Sequence, residues 1–433
     1  MDKTQEMLEN WCSAPGVTFK SSEAEEAYKK RAKRIADATQ LKVSDRVPVS
    51  PSFGIFPALD NGFTSEECIF DYNKTYAAWM KALIDFEPDT FRFPNRPGTV
   101  WEAIDCKQIK LPGRGIPPNS NIQNVEAEWD TAEEFYDTFL EDPTDFMMRV
   151  HLPHICGVLE PLKALRPMRH AFSYYLGFPS MLSSFGTPEI ASAFEELCRA
   201  GAQALEWENF FRAKSLEVRG MGFPSDPAMS ASAPFDAVGD AIRGTRGLMM
   251  DMYRRPEKLI AAMERLVPIM IEMGLRAKST GCPFVGIPLH RGSGGWMSIE
   301  QYKTFYWPTL RKVMMGLINE GLVPMPLFEG ENTSRLEIIK DIPKGKAIYW
   351  FERVDIRKAK EVLGDTVCFR GNVPISLLYA GTPEDVKAYI KELIDIVGEG
   401  GGLIVDSGCL FDEAKHENVK VMVDFTKEYG VYR

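Results

Sequence analysis

In the second half of the chain, short apolar runs alternate with longer stretches in which apolar positions return every three or four residues. The runs Phe284–Leu289, Pro324–Phe328, Ala347–Phe351, Thr366–Phe369 and Gly402–Val405 have the length of buried strands. Helices are predicted between them. Ser298 with Gln301 is a capping-box pair opening a face of Tyr306, Leu310, Val313, Met314 and Leu317. Pro308 is predicted to kink this helix and Gly321 to end it. Ser334 with Glu337 reads as a second capping box. Thr382-Pro383-Glu384-Asp385 supplies an N-cap, a first-turn proline and acids for a helix carrying Val386, Tyr389, Ile390, Leu393 and Val397.

Repeated strand–helix alternation implies a parallel sheet with helical crossovers. The predicted fold class is α/β, a (β/α)8 TIM barrel forming a single domain. Residues 1–45 are a helical extension, and 46–433 form the barrel with insertions around 96–280. Arg46–Phe53 reads as the first strand, preceded by the charged helix Ser22–Ala38, and Asp89–Phe93 as the second. No GxGxxG follows an early strand, so an open nucleotide-binding sheet fits less well. The glycine clusters at 292–295 and 400–402 lack that spacing and read as turns.

Composition narrows the function classes. With 433 residues, 45% hydrophobic and 26% charged, the chain has the proportions of a globular protein. No apolar run reaches the roughly 18–20 residues of a membrane span, and the polar start lacks a signal-peptide layout. A net charge of −10 argues against nucleic-acid or anionic-lipid partners. Eight scattered cysteines without a CxxC read as the reduced thiols of a cytoplasmic protein. The 20 Met and 26 Phe fill core, with some available to line an apolar substrate pocket.

In a barrel, chemistry sits at the C-terminal strand ends. Those ends read His290-Arg291, Glu329-Gly330-Glu331, Glu352 with Asp355 nearby, Cys368 ahead of Arg370-Gly371-Asn372, and Asp406 ahead of Gly408-Cys409. Glu329, Cys368 and Cys409 together suit zinc, which accepts carboxylate and thiolate and keeps one position open in catalytic sites. The alternative is that each buried cysteine is a small hydrophobe. His290 and Arg291 suit an anionic substrate or a leaving oxygen, with a structural Arg–carboxylate pair as the alternative. Glu352 and Asp406 are further catalytic candidates, and with Asp355 are available as a fourth ligand. His154-x-Cys156 has the look of a ligand pair, but no strand-like run precedes it, and it is read as a decoy. His170 and His416 read as surface residues. No GxSxG elbow occurs.

These residues resemble the uroporphyrinogen decarboxylase superfamily. Asp45-Arg46-Val47-Pro48-Val49 is similar to its opening strand. Gly364-Asp365, Gly371-Asn372-Val373-Pro374 and Gly381 to Val386 are similar to its seventh strand and following helix. Gly401 to Val405, Gly408-Cys409 and Glu417-Asn418-Val419 are similar to its last βα unit. The decarboxylase branch carries arginines after the first strand and an Asp in the second; here stand Ser50-Pro51-Ser52-Phe53-Gly54 and Phe91-Arg92-Phe93-Pro94. The resemblance is stronger to the corrinoid-linked methyltransferases, whose coenzyme M-methylating members show His-x-Cys-Gly and a later Gly-Cys. This chain keeps Gly408-Cys409 but has Leu327-Phe328-Glu329-Gly330 at the other place.

The resemblance therefore implies a zinc-dependent methyltransferase of the demethylating kind. It would move a methyl group from a small methylated substrate, a methoxylated aromatic favoured, to the corrinoid (cobalamin) of a partner protein. Glu329, Cys368 and Cys409 would hold zinc. Methyl transfer from a methylcorrinoid to a thiol and a decarboxylase are the competing readings. A homodimer is a further expectation, since such relatives often dimerise.

Overall fold

The apolar runs become strands in a computed structural model that describes residues 2–227 and 230–432. β1 (Phe284–Leu289), β2 (Val323–Glu331), β3 (Ile348–Arg353), β4 (Cys368–Val373) and β5 (Leu403–Ser407) pair in that order as a parallel five-stranded sheet. Their near-complete burial explains why they read as continuous apolar runs rather than alternations. β1 has its predicted bounds. β4 instead starts two residues late and runs on through Arg370, Gly371 and Asn372, which the sequence pattern assigned to a loop. A charged residue enters a buried strand here because its charge is matched inside the sheet.

The helices used below are α1 (Lys3–Ser13), α2 (Ser22–Thr39), α3 (Pro188–Gly220), α4 (Pro256–Leu275), α5 (Trp307–Asn319), α6 (Ile356–Leu363), α7 (Pro383–Leu393) and α8 (His416–Tyr429). Ser21 caps α2, and the Thr382–Asp385 capping box opens α7. The Ser298–Gln301 box forms as well. At Pro308 the helical run is interrupted: a wide π-turn at Tyr302–Tyr306 directly precedes α5, whose first turn holds the proline. The Ser334–Glu337 box does not form. Ser334 lies in a 3-10 turn, Thr333–Arg335, which positions the buried Arg335 guanidinium on the carbonyls of Gly292, Ser293 and Met297.

The first predicted strands occur as extended segments held by isolated bridges. Val49 bridges Val405 of β5 in parallel, Asp89 N donates to Val49 O at 2.9 Å, and Phe91 bridges Ser225. Ser230 N donates to Gly286 O of β1 at 3.1 Å. The 96–280 region is helical and irregular as predicted, dominated by α3, with a small sheet of Ile109–Pro112, Gly115–Ile116 and Gln123–Asn124. Residues 1–45 supply α1 and α2, whose Leu8, Trp11, Tyr28 and Ile35 pack on Phe284, Val323, Ile348 and Cys368. They cover the end at which the strands start, leaving the opposite end for chemistry. No helix among the described residues is long and apolar enough to cross a membrane.

Two buried ion networks tie the segments to the sheet. Asp89 accepts from Arg34 and Arg46 and from the Val49 backbone, at 2.8–3.0 Å. Arg370 donates from Nε to Asp406 at 2.8 Å and from Nη1 to Asp226 at 3.0 Å. Its Nη2 donates to the Ser50 carbonyl at 3.1 Å and to Ser52 Oγ at 3.0 Å. Asp406 also accepts from Ser52 N at 2.9 Å and Ser52 Oγ at 2.7 Å. Both of its oxygens are committed, so its place is structural rather than among the reacting groups assigned from sequence. Asp406→Ala leaves Arg370 Nε and Ser52 without their buried acceptor while Asp226 still meets the charge, and it is expected to lower stability by about 1–3 kcal/mol in urea melts.

Candidate functional site

The sequence-predicted residues separate into a group that meets and a group that does not. His290 follows β1 directly. Glu329 lies in an irregularity of β2, where register with β3 shifts between Phe328 and Glu331, and such a bulge re-aims a side chain. Gly330 takes φ +72° there, the left-handed conformation that glycine adopts without strain. Its N–H donates to Glu352 Oε2 at 2.6 Å, so the β3 carboxylate pins the β2 bulge. Gly408 passes so close to β3 that a Cβ there would sit 2.7 Å from the Glu352 carbonyl. Glycine is required at that crossing, and it delivers Cys409 beside the two glutamates.

His290 is set by two acids that the sequence reading passed over. Asp236, fully buried, accepts from the His290 and Arg291 backbone N–H groups at 3.0 Å each and from Tyr306 Oη at 2.5 Å. Asp240 accepts from His290 Nδ1 at 2.7 Å, which leaves Nε2 facing Glu329 Oε1 at 3.8 Å. The signal available in the sequence was the four-residue spacing of Asp236 and Asp240, which places both on one helical face.

Charge is strained in this group. The hydrogen bond to Asp240 raises the His290 imidazole to about 9, against the opposing effect of burial. Burial raises the Glu329 carboxyl, with Glu352 adding to the rise and His290 opposing it. Burial first, then the Glu329 and Glu352 carboxylates, push the Cys409 thiol up to about 12.

Cys368 stays apart. It opens β4 in register with Ile348, four residues before Glu352 along β3, on the order of 13 Å at about 3.3 Å per residue. There it packs with Trp11 and Ile348, and burial alone raises its thiol. The expected Glu329–Cys368–Cys409 set therefore does not converge: the strand extends past Arg370 and leaves Cys368 at the wrong end. Arg291 is occupied too, paired with Asp240 and donating to Glu126 and Thr245 at 3.3 Å each, so its structural alternative holds. Asp355 caps α6 through the N–H groups of Arg357 and Lys358. His154 turns to Asp130 rather than to Cys156; Asp130 holds both His151 and His154 at 2.6 and 2.7 Å.

Residues 228–429 match the profile of the uroporphyrinogen decarboxylase (URO-D) family. The matched stretch covers just under half of the chain. It contains His290, Glu329, Glu352 and Cys409. Curated relatives include uroporphyrinogen decarboxylases of Actinobacillus pleuropneumoniae serotype 5b, 27% identical over 49% of this chain and 60% of that protein, and of Pseudoalteromonas atlantica, 32% identical over 32% and 39%. The chain thus spans about 60% of the length of the first of these. A solved methyltransferase from Methanosarcina mazei superposes over 93% of this chain and 98% of its own, with a TM-score of 0.61 and 17% identity, a likeness of fold. The matched stretch holds the five-stranded sheet and the His290 group; the N-terminal segments lie outside it.

The raised His290 value fixes a pH dependence. The folded value lies above the ordinary one, so the Asp240–His290 pair stabilises fully below about pH 6.5 and is lost as pH rises through about 9. In metal-free protein, NMR titration of the His290 ring should show a midpoint near 9, and Asp240→Asn should bring it down toward 6.5.

Proposed function

We propose that this chain is a zinc-dependent methyltransferase of the URO-D superfamily, passing the methyl group of a small methylated donor, a methoxylated aromatic favoured, to the corrinoid of a partner protein. The fold it rests on is read as a closed (β/α)8 barrel. Isolated bridges running from β5 through Val49, Asp89, Phe91 and Ser230 back to β1 support that closure.

One observation carries the proposal: His290 Nε2 faces Glu329 Oε1 at 3.8 Å while Asp240 grips the other imidazole nitrogen, and the Cys409 thiol lies within reach of the Glu329 charge. A carboxylate on the far side of a histidine fixes the tautomer and orientation that a metal ligand needs. Imidazole, carboxylate and thiol are also a set that zinc accepts with a position left open. The donor types suit the metal, and His290 is proposed in the place that Cys368 was expected to fill. Glu352 is the positioning residue, since it holds the bulge that aims Glu329.

Zinc there would polarise the donor's ether oxygen while a partner-borne corrinoid accepts the methyl group. The chain's own residues set the conditions. Asp240 orients the His290 ring, Gly408 brings Cys409 against β3, and Glu352 fixes the bulge. A proton and a metal compete for His290 Nε2, so zinc affinity is expected to rise steadily between pH 6 and 9 in competition titrations.

A decarboxylase is the second reading, favoured by the curated relatives, and CO₂ release from a carboxylated substrate without metal would support it.

Anaerobically purified protein should contain near-stoichiometric zinc. Glu329→Gln and Cys409→Ser should lose most of it, and Cys368→Ser should keep it. Retention of zinc by Cys409→Ser would remove the proposed site. Methylcobalamin should form from cob(I)alamin and a methoxylated aromatic; failure across a broad panel of donors would count against the activity.

A further inference from the structure

Two of the eight cysteines are held against each other, outside the stretch that matches the URO-D profile. Cys106 and Cys156 are partners in an isolated antiparallel bridge, although 50 positions separate them in sequence. The bonds of this bridge run between their neighbours. Lys107 N donates to Ile155 O at 2.8 Å, and Gly157 N donates to Asp105 O at 3.0 Å. The two cysteines are therefore a non-hydrogen-bonded pair, in which Cα atoms lie about 4.5 Å apart and side chains come closest. A disulfide needs a Cα separation of about 4.4–6.8 Å, so this register admits one without moving the backbone. Both are free thiols. Among the described residues no other two cysteines face each other across a bridge or ladder.

Access to the pair is one-sided. Cys106 is half-buried, whereas Cys156 is buried among Ile104, Trp129 and Leu152. Burial raises both thiols, Cys156 to about 11, and the Cys106 sulfur adds to that rise. Thiolate is a minor species near pH 7 in such surroundings, so exchange is slow there and quickens with pH. The pair also stands behind the candidate site. Gln108 Nε2, two residues beyond Cys106, donates to Ala241 O at 2.7 Å, next to the Asp240 that holds His290. A covalent link would fasten that support to the segment that follows Cys156.

We propose that Cys106 and Cys156 form a site of reversible thiol–disulfide exchange, taking a low-molecular-weight disulfide of the glutathione type as oxidant. The Cys106 thiolate attacks one sulfur of the small disulfide, which forms a mixed disulfide and releases one small thiol. The Cys156 thiolate then attacks Cys106 Sγ, closing the protein disulfide and releasing the second. Two protein thiols give up two protons and two electrons, and one small disulfide becomes two thiols. The site rests on the bridge and stands whatever reaction the His290 group performs.

Peptide mapping of the full-length wild type tests the site without requiring turnover or a variant that folds. Reduced protein is exposed to excess oxidised glutathione at about pH 8, close to the ordinary thiol pKa, then alkylated and digested with trypsin. The peptides Phe93–Lys107 and Val150–Lys163 should be recovered joined, and dithiothreitol should part them. The exposed Cys198 should instead carry glutathione. In the native protein most of the linked Cys106 should be joined to Cys156. In urea that share should fall about sevenfold, toward one in seven, because loop length biases the choice among seven partners only weakly. Cys156→Ser should lose the linked peptide and leave Cys106 as its glutathione adduct. Cys106 recovered as a stable adduct in wild type would overturn the proposal. So would free Cys106 and Cys156 once Cys198 is modified, or a native share no higher than that in urea.

Discussion

The guanidinium of Arg370 is the point from which the rest of this architecture is organised. It lies wholly inside the sheet, on β4, and donates to groups from the 50–52 segment, from Asp226 and from β5. Without a matched charge, an arginine in a buried strand would end the strand. With Asp406 and Asp226 beside it, the strand continues through Gly371 and Asn372. The irregular segments at 50–52 and 226 are fixed to the regular sheet by the same bonds. Asp89 does comparable work nearer the helical extension, joining α2 to the first two extended segments.

The chemistry-bearing end is divided by charge. On one side His290, Glu329, Glu352 and Cys409 crowd together, and burial raises the carboxyl of Glu329 and the thiol of Cys409 because neither has a nearby full positive charge other than His290. On the other side Arg92 and Asp226 line a ring-walled cavity, where the Asp226 carboxylate favours the charged guanidinium. Asp226 belongs both to that wall and to the Arg370 network.

How far the chain could be read depended on whether the signal was local. Apolar runs located all five strands of the parallel sheet, and capping chemistry located α2, α7 and the Ser298 turn, because a cap is settled within four residues. Ser334–Glu337 shows the limit: the pattern was present, but the buried Arg335 claimed the turn for its own contacts. His290, Glu329, Glu352 and Cys409 were legible as strand-end residues. Cys368 was misplaced because a charged residue and a glycine normally mark the end of a strand, and only Arg370's distant partners made them continue it. Asp236 and Asp240 went unread because a helical acid pair usually faces solvent.

By itself, then, the sequence determined what depends on neighbours along the chain: parallel α/β alternation, the strands' apolar faces and the helix starts. Tertiary structure decided which polar groups meet. Arg291 and Asp406 found partners that occupy them, and Cys368 fell at the covered end. The physical reason is range. Periodicity and capping act within a turn or two of backbone, whereas the state of a buried charge depends on groups up to hundreds of residues away in sequence, such as Ser52 and Asp406.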